Sequence, residues 1–358
     1  MKKLSTSISD FEEFRKKNYL YVDKTNYIKV IENYSEPYIF LLRPRRFGKS
    51  LFISMLDTYY DINGKENFDK YFNELYIAEN KTSSANTYYV LNFDFSGINT
   101  ANKDQLLKGF TSKVKEGLDK FLKRYGLDLD YDDSGMPSEI FSSFLTSISY
   151  ENDGESDDLK VYVLIDEYDH FANELLSFQV DTFKETVSET GFVRKWYEIL
   201  KEATKSGIVD RIFGTGVSPV TLDSLTSGFN IAKNKTRSVK LNEIMGFTES
   251  EVKYLLKNAS ENKININKLM PELKNYYNGY LFNENAKNKI FNSDMVLYYI
   301  SEYLENEKPP VDLIDINISS DYAKMQQLFT LKNKERNYKI LEEILEGKLQ
   351  KTSITREF

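Results

Sequence analysis

The sequence predicts an α/β protein, with a parallel sheet flanked by helices over residues 1–240 and a mainly helical region over residues 241–358. Three observations carry this expectation. Short apolar runs alternate with segments whose apolar residues recur every three or four positions, the spacing of strands and amphipathic helices. One of those runs passes straight into Gly48-Lys49-Ser50 and then into a helical pattern. From about Leu241 the strand-like runs give way to helical periodicity with Asn-rich breaks.

Taken in order, Tyr19 to Thr25 reads as a short extended piece that leads into a helix over Asn26 to Asn33, with Thr25 at its N-cap. This piece is expected to pack beside the Gly-Lys-Ser turn. Tyr38 to Leu42 is an apolar strand, and Leu51, Phe52, Met55, Leu56 and Tyr59 mark one face of the helix after the turn. Tyr88 to Phe95 is a second strand, ended by Ser96-Gly97. A long helix follows on Leu107, Phe110, Val114, Leu118, Phe121 and Leu122, with Gly126 where a C-terminal cap belongs. Leu127 to Gly135 and Glu151 to Asp158 are acidic and poor in apolar groups, as solvated loops are, and Ile140 to Ile148 forms a helix between them. Leu159 to Ile165, nearly all apolar and closing on Asp166-Glu167, is a buried central strand. A helix over Val193 to Ala203 stops at Ser206-Gly207, and Ile208 to Gly216 is the next strand. Thr248 and Glu251 have capping-box spacing at the head of a further helix, and the Lys/Glu mixture of Lys332 to Lys351 reads as a solvated helical face.

Composition narrows the function. With 358 residues and 41% apolar side chains the chain can bury a sizeable core, and its length suggests about two domains. Cysteine is absent, which excludes a disulfide framework, a thiolate metal site and a cysteine nucleophile, and makes the cytoplasm the expected compartment. The segment after Met1-Lys2-Lys3 is polar, and no stretch approaches the roughly 20 apolar residues of a membrane span. The formal charge of −7 argues against broad, non-specific nucleic-acid binding. A single histidine, His170, excludes a His-pair zinc site, and it reads as a non-catalytic neighbour of the acidic pair.

The strand–Gly-Lys-Ser–helix arrangement is that of a phosphate-binding loop. Gly48 allows close backbone approach, Lys49 can reach the β and γ phosphates, the Ser50 hydroxyl suits a magnesium ion, and the helix aims its N-terminus at the anion. The nucleotide-contacting stretch is expected to run through Arg45, Arg46, Phe47, Gly48, Lys49, Ser50 and Leu51. Arg43 stands where the standard loop has its first glycine, so the turn cannot use glycine's freedom there. Arg45 and Arg46 suit phosphate oxygens, although one of them can instead fasten the loop to acidic residues of the protein itself.

Hydrolysis needs a metal held near the phosphates, a group for water and a polar sensor of the γ phosphate. Adjacent residues at a strand end diverge, so Asp166 can serve the magnesium with Ser50 while Glu167 addresses water. Asp169 is a weaker candidate. Thr215, closing the next strand, is either a γ-phosphate sensor or part of a tight Gly-Thr-Gly exit from the sheet.

Six stretches carry a resemblance: Tyr21-Val22-Asp23-Lys24-Thr25, Arg43 to Ser50, Leu164 to Asp169, Thr215 to Pro219, Gly246 to Val252 and Tyr276-Tyr277-Asn278-Gly279-Tyr280. In this order they resemble the motifs of the bacterial predicted AAA-ATPase-like family, over most of the chain. The resemblance implies a P-loop NTPase fold of the additional-strand type, with ATP and Mg2+ as cofactors and with Lys49, Ser50, Asp166 and Glu167 in the usual roles. It also makes Arg43 a family habit, since the loop in that family begins with arginine. Members often continue into a nuclease-like domain of the PD-(D/E)XK type. This sequence departs there, with no convincing Asp, then Glu-x-Lys arrangement on a strand beyond Tyr280, so a truncated form is open and a nuclease function is not expected of this sequence.

The leading expectation is therefore a magnesium-dependent ATPase whose helical C-terminal region acts as a lid toward a partner or effector. A slow ATP/ADP-binding switch is the alternative, and a phosphotransferase using Glu167 or Asp169 is a third reading. A GTPase is disfavoured because no Asn-Lys-x-Asp segment follows a strand. A homo-oligomer is open, with Arg194, Arg211 and Arg237 as candidates for an arginine acting across subunits, and nucleic acid is expected only through a fused or partner nuclease.

Overall fold

Alternate residues of each apolar run face opposite sides, and the sheet buries both. In a computed structural model, which describes residues 3–152, 159–172, 175, 185–186, 191–218, 229–259, 265–314 and 334–346, five parallel strands form one sheet. The helices α1 (Phe11–Lys16) and α2 (Asn26–Glu32) precede β1 (Tyr38–Leu42). There follow α3 (Lys49–Tyr60), α4 (Phe68–Phe72), α5 (Tyr76–Glu79), β2 (Tyr89–Asp94), α6 (Lys103–Tyr125), α7 (Pro137–Asn152) and β3 (Val161–Asp166). The sheet is completed by α8 (Phe192–Lys205), β4 (Val209–Gly216) and a two-residue edge strand β5 (Lys233–Asn234).

The strand order is β2-β3-β4-β1-β5, so β4 is inserted between the strand that leads into the Gly-Lys-Ser loop and the strand that ends in the acidic pair. This is the order of the additional-strand type. Register sets the ends level: Leu41 pairs with Thr215 and Leu42 with Gly216, while Asp166 pairs with Asp94 at the same carboxyl edge.

Ile39 and Leu41 of β1, with Tyr162 and Leu164 of β3, pack against α3 and the N-terminal helices. Phe40 and Leu42, with Val161, Val163 and Ile165, pack against α6, α7 and α8 around Trp196. The complete burial of β3 explains why its run shows no polar alternation. Gly126, with φ +61, closes α6 as its position in the sequence implies.

Beyond the sheet lie α9 (Glu249–Ala259), α10 (Ile266–Tyr277), a short antiparallel pair β6 (Asn278–Tyr280) and β7 (Ile290–Phe291), α11 (Ser293–Asn306) and α12 (Lys334–Leu345). These elements are mainly helical, and Leu20 and Val22 from the N-terminal piece join their apolar cluster. The capping box forms as spaced: Thr248 N–H donates to Glu251 Oε2 at 2.7 Å, and Glu251 N–H donates to Thr248 Oγ1 at 3.3 Å.

Some expectations change. Thr25 sits at the N-cap of α2 but makes no side-chain cap; its hydroxyl instead donates to Asp23 and accepts from the Ile77 amide, because the residue is fully buried against α5. Glu151 and Asn152 complete α7, whereas 153–158 lie outside the described residues, as do Pro219 and 347–358. The strands β5, β6 and β7 are too short for periodicity to reveal. Among the described residues no helix is long and apolar enough to cross a membrane.

Candidate functional site

The loop from β1 to α3 is shaped by two residues with positive φ, Arg46 at +67° and Gly48 at +86°. Arg46, a non-glycine residue in the left-handed region, carries strain of about 1 kcal/mol. Arg43 is absent from the positive-φ residues, so the arginine at the first-glycine position imposes no such strain. It is used as an anchor instead. Its side chain is 1% exposed, donates to the carbonyl oxygens of Leu42, Thr236 and Leu241, and lies 3.8 Å over the Phe282 ring. The Phe47 ring is buried against Tyr280 and Phe282, with centroids at 4.8 and 5.7 Å.

Lys49 is 5% exposed, with its ammonium 3.4 Å from the Pro44 carbonyl oxygen and 3.3 Å from Glu167 Oε1. Glu167 follows β3 with φ +52, a sharp turn closed by the His170 amide donating to the Glu167 carbonyl at 3.0 Å. His170 Nδ1 lies 3.8 Å from Glu167 Oε2. Burial favours the neutral acid, but His170 and Lys49 outweigh it and hold the Glu167 carboxyl down to about 2.

Asp166 has the opposite balance. Burial raises its pKa, against hydrogen bonds from Ser50 and Thr215. Thr215 Oγ1, fully buried, donates to Asp166 Oδ1 at 2.7 Å, and the Glu167 amide donates to the same oxygen at 3.0 Å. Asp166 and Thr215 are thus joined, and Ser50 lies near enough to act against the raised Asp166 pKa. Asp169 is fully buried, and its carboxylate accepts from the Val217 amide at 3.0 Å and from the Ser218 amide, so it secures the segment after Thr215.

A cavity of about 530 Å³ opens over Lys49, Ser50 and Glu167, within the range of small-molecule sites, whereas Asp166 and Thr215 do not line it. Arg45, Arg46, Phe47, Gly48, Lys49, Ser50 and Leu51 all line it, with Glu167 and His170. Further lining comes from Ser5 to Ser9, from Leu20 and Val22, from Phe247, which bridges to Phe291, and from Leu255 and Leu297 in the downstream helices. Arg46 lies 3.9 Å from Asp294, so one of the two loop arginines faces an acidic residue of the protein itself.

Sequence reasoning missed several cavity residues. The polar Ser5 to Ser9 segment carries no periodic signal, and Asn292-Ser293-Asp294 is recognisable only as a helix start. The three arginines considered for action across subunits lie apart from the loop's own contacts. Arg194 pairs with Glu198 at 3.2 Å, Arg237 with Glu284 at 2.8 Å, and Arg211 sits toward the amino end of β4 against Tyr60, Tyr88 and Tyr162. Among the described residues no group of three acidic or histidine ligands forms a ready metal site, so Ser50 and Asp166 fit a metal only together with ligand oxygens.

The model of the predicted AAA-ATPase family matches residues 5–226, well over half of the chain. The chain belongs to that family. The predicted AAA-ATPase motifs named from the sequence meet in pairs here: Phe47 with Tyr280, Asp166 with Thr215, and Lys24 with Glu251. Family membership supports nucleotide binding, and ATP in particular. No curated protein matches the chain. A solved structure described as a Walker-type ATPase of Pyrococcus abyssi is similar at 13% identity and a TM-score of 0.41, over 97% of this chain and 76% of that one. The fold assignment rests on the strand order and not on that likeness.

Proposed function

We infer that this predicted AAA-ATPase binds ATP with magnesium and hydrolyses it to drive or regulate a conformational change in a partner or effector. The observation that carries this reading is the convergence of Lys49, Ser50 and Glu167 on one cavity at the carboxyl edge of the sheet, with Asp166 buried directly before Glu167 at the end of β3. The Lys49 ammonium neutralises phosphate charge once it exchanges Glu167 for a phosphate oxygen. Ser50 and Asp166 are the residues that would hold magnesium, whose charge assists phosphoryl transfer. Release from Lys49 leaves Glu167 to orient water and accept its proton, with Thr215 steadying Asp166. The apolar lining from Leu20, Val22, Phe247, Leu255 and Leu297 suits a nucleobase, and the helices after residue 241 act as the lid.

One observation favours the slower alternative, an ATP- or ADP-holding switch. With its pKa held to about 2, Glu167 is a weak base while Lys49 and His170 face it. Turnover then depends on how fully phosphate draws Lys49 away. The phosphotransferase reading has less support, since Asp169 is committed to the Val217 and Ser218 amides.

Titration of the chain with fluorescent ATP beside Lys49→Ala tests the reading. Binding by the wild type, weakened at least roughly a hundredfold in the variant, is expected from loss of a charge-assisted phosphate contact in a desolvated site. Equal binding by both, or none by the wild type, would contradict it.

A further inference from the structure

We propose that Gly246 and the Asn292-Ser293-Asp294 turn that starts α11 are positioning residues of the phosphate loop, turning its amides toward the anion. The inference rests on the reading of the loop as a phosphate site.

Three consecutive loop carbonyl oxygens are held from downstream. Asn292 Nδ2 donates to the Arg45 oxygen at 3.4 Å. Ser293 Oγ donates to the Arg46 oxygen at 2.9 Å, joined by the Asp294 amide at 3.3 Å. The Gly246 amide donates to the Phe47 oxygen at 3.1 Å. In a planar trans peptide the carbonyl and the following N–H point in opposite directions. Drawing these three oxygens toward the downstream residues therefore turns the amides of Arg46, Phe47 and Gly48 the other way.

Two independent features agree with that geometry. Among the described residues none of these three amides donates to a protein acceptor, although all three residues line the cavity beside Lys49. The positive φ values at Arg46 and Gly48 flank Phe47, and such alternation curls successive N–H groups into an anion-binding nest. Packing makes the anchor close-fitting. A Cβ at Gly246, where φ is +76°, would meet the Phe291 carbonyl oxygen at 2.7 Å and the Phe47 ring at 2.8 Å.

The anchors lie beyond residues 5–226, so the family-matched segment carries the loop without the groups that orient it. Coupling follows in both directions: an anion that tightens the loop also tightens the start of α11, and displacement of α11 loosens the grip on the anion.

The test uses the full chain, with inorganic pyrophosphate and Mg-ATP as separate probes in calorimetric titrations. Ser293→Ala removes the shortest anchor. Asn292→Asp removes the donor to Arg45 but keeps an oxygen to cap α11, and so guards against a variant that fails to fold. Each is expected to weaken both probes about three- to tenfold, the usual worth of one hydrogen bond, with the melting temperature of the unliganded protein little changed. Ser293→Thr, which retains the hydroxyl, is expected to restore most of the affinity. Wild-type affinity for pyrophosphate in both Ser293→Ala and Asn292→Asp would overturn the proposal, as would a wild-type chain that binds neither probe. Pyrophosphate binding that falls in the variants, from a wild type that ignores Mg-ATP, would sustain the positioning role while removing the nucleotide reading.

Discussion

Lys24 and Glu251, separated by 227 positions in the chain, form an ion pair at 2.6 Å that fastens the N-terminal piece to the head of α9. The same ammonium donates to the Glu243 carbonyl at 2.8 Å, and Glu251 also closes the capping box of α9 through its other oxygen. Lys24 is 8% exposed. Burial lowers its pKa, and contact with Glu251 opposes that shift. Lys24→Ala is expected to destabilise the protein by about 2–4 kcal/mol, because the carboxylate is left partly buried without its cation. Glu251→Gln retains the cap and is expected to cost less than Glu251→Ala. Urea unfolding of the three variants checks the order; an equal cost for Gln and Ala would contradict the double role.

Arg43 makes a sharper prediction, because a return to the common loop pattern should do harm. Arg43→Gly supplies the glycine of the standard phosphate loop, yet it removes the guanidinium donors to the Thr236 and Leu241 carbonyls and the stacking on Phe282. A loss of about 2–4 kcal/mol is expected, from a buried charge-assisted network and a cation–π contact together. Arg43→Lys should rescue little, since an ammonium lacks the planar fork. Thermal melts decide, and a more stable Arg43→Gly would show that the anchor is dispensable.

Acid provides a separate handle on Glu167. Its folded-state pKa of about 2 lies below the ordinary 4.5, so the unfolded chain binds the proton first as pH falls. The contribution to stability is complete above about 4.5 and fades between there and about 2, with a ceiling near 3 kcal/mol. The stability gap between wild type and Glu167→Gln should be level around neutrality and shrink on acidification. Denaturant unfolding at a series of pH values measures it. A gap that widens toward low pH would contradict the Lys49–Glu167 pairing.

Much of this site was legible in the sequence, for physical reasons that differ by residue. Leu159 to Ile165 gave itself away as a central strand because a strand buried on both faces needs apolar groups throughout. Gly48-Lys49-Ser50 and Asp166-Glu167 were legible because phosphate chemistry restricts residue type and spacing. The use of Arg43 was hidden, since its partners Thr236, Leu241 and Phe282 lie roughly two hundred positions away and no local pattern links them. Thr25 looked like a helix cap from its neighbours, but tertiary burial gave its hydroxyl other partners. His170 was read as a bystander to the acidic pair, and its ring lies against the carboxylate expected to handle water.

The central claim is that Glu167 acts on water in a site where Lys49 holds the phosphates. Phosphate release from Mg-ATP by the wild type and by Glu167→Gln, with bound nucleotide quantified in both, tests it most directly. Turnover is expected to fall at least roughly a hundredfold in the variant while ATP stays bound, as loss of a general base requires. Unchanged turnover in Glu167→Gln, or a wild type that retains no nucleotide, would contradict it.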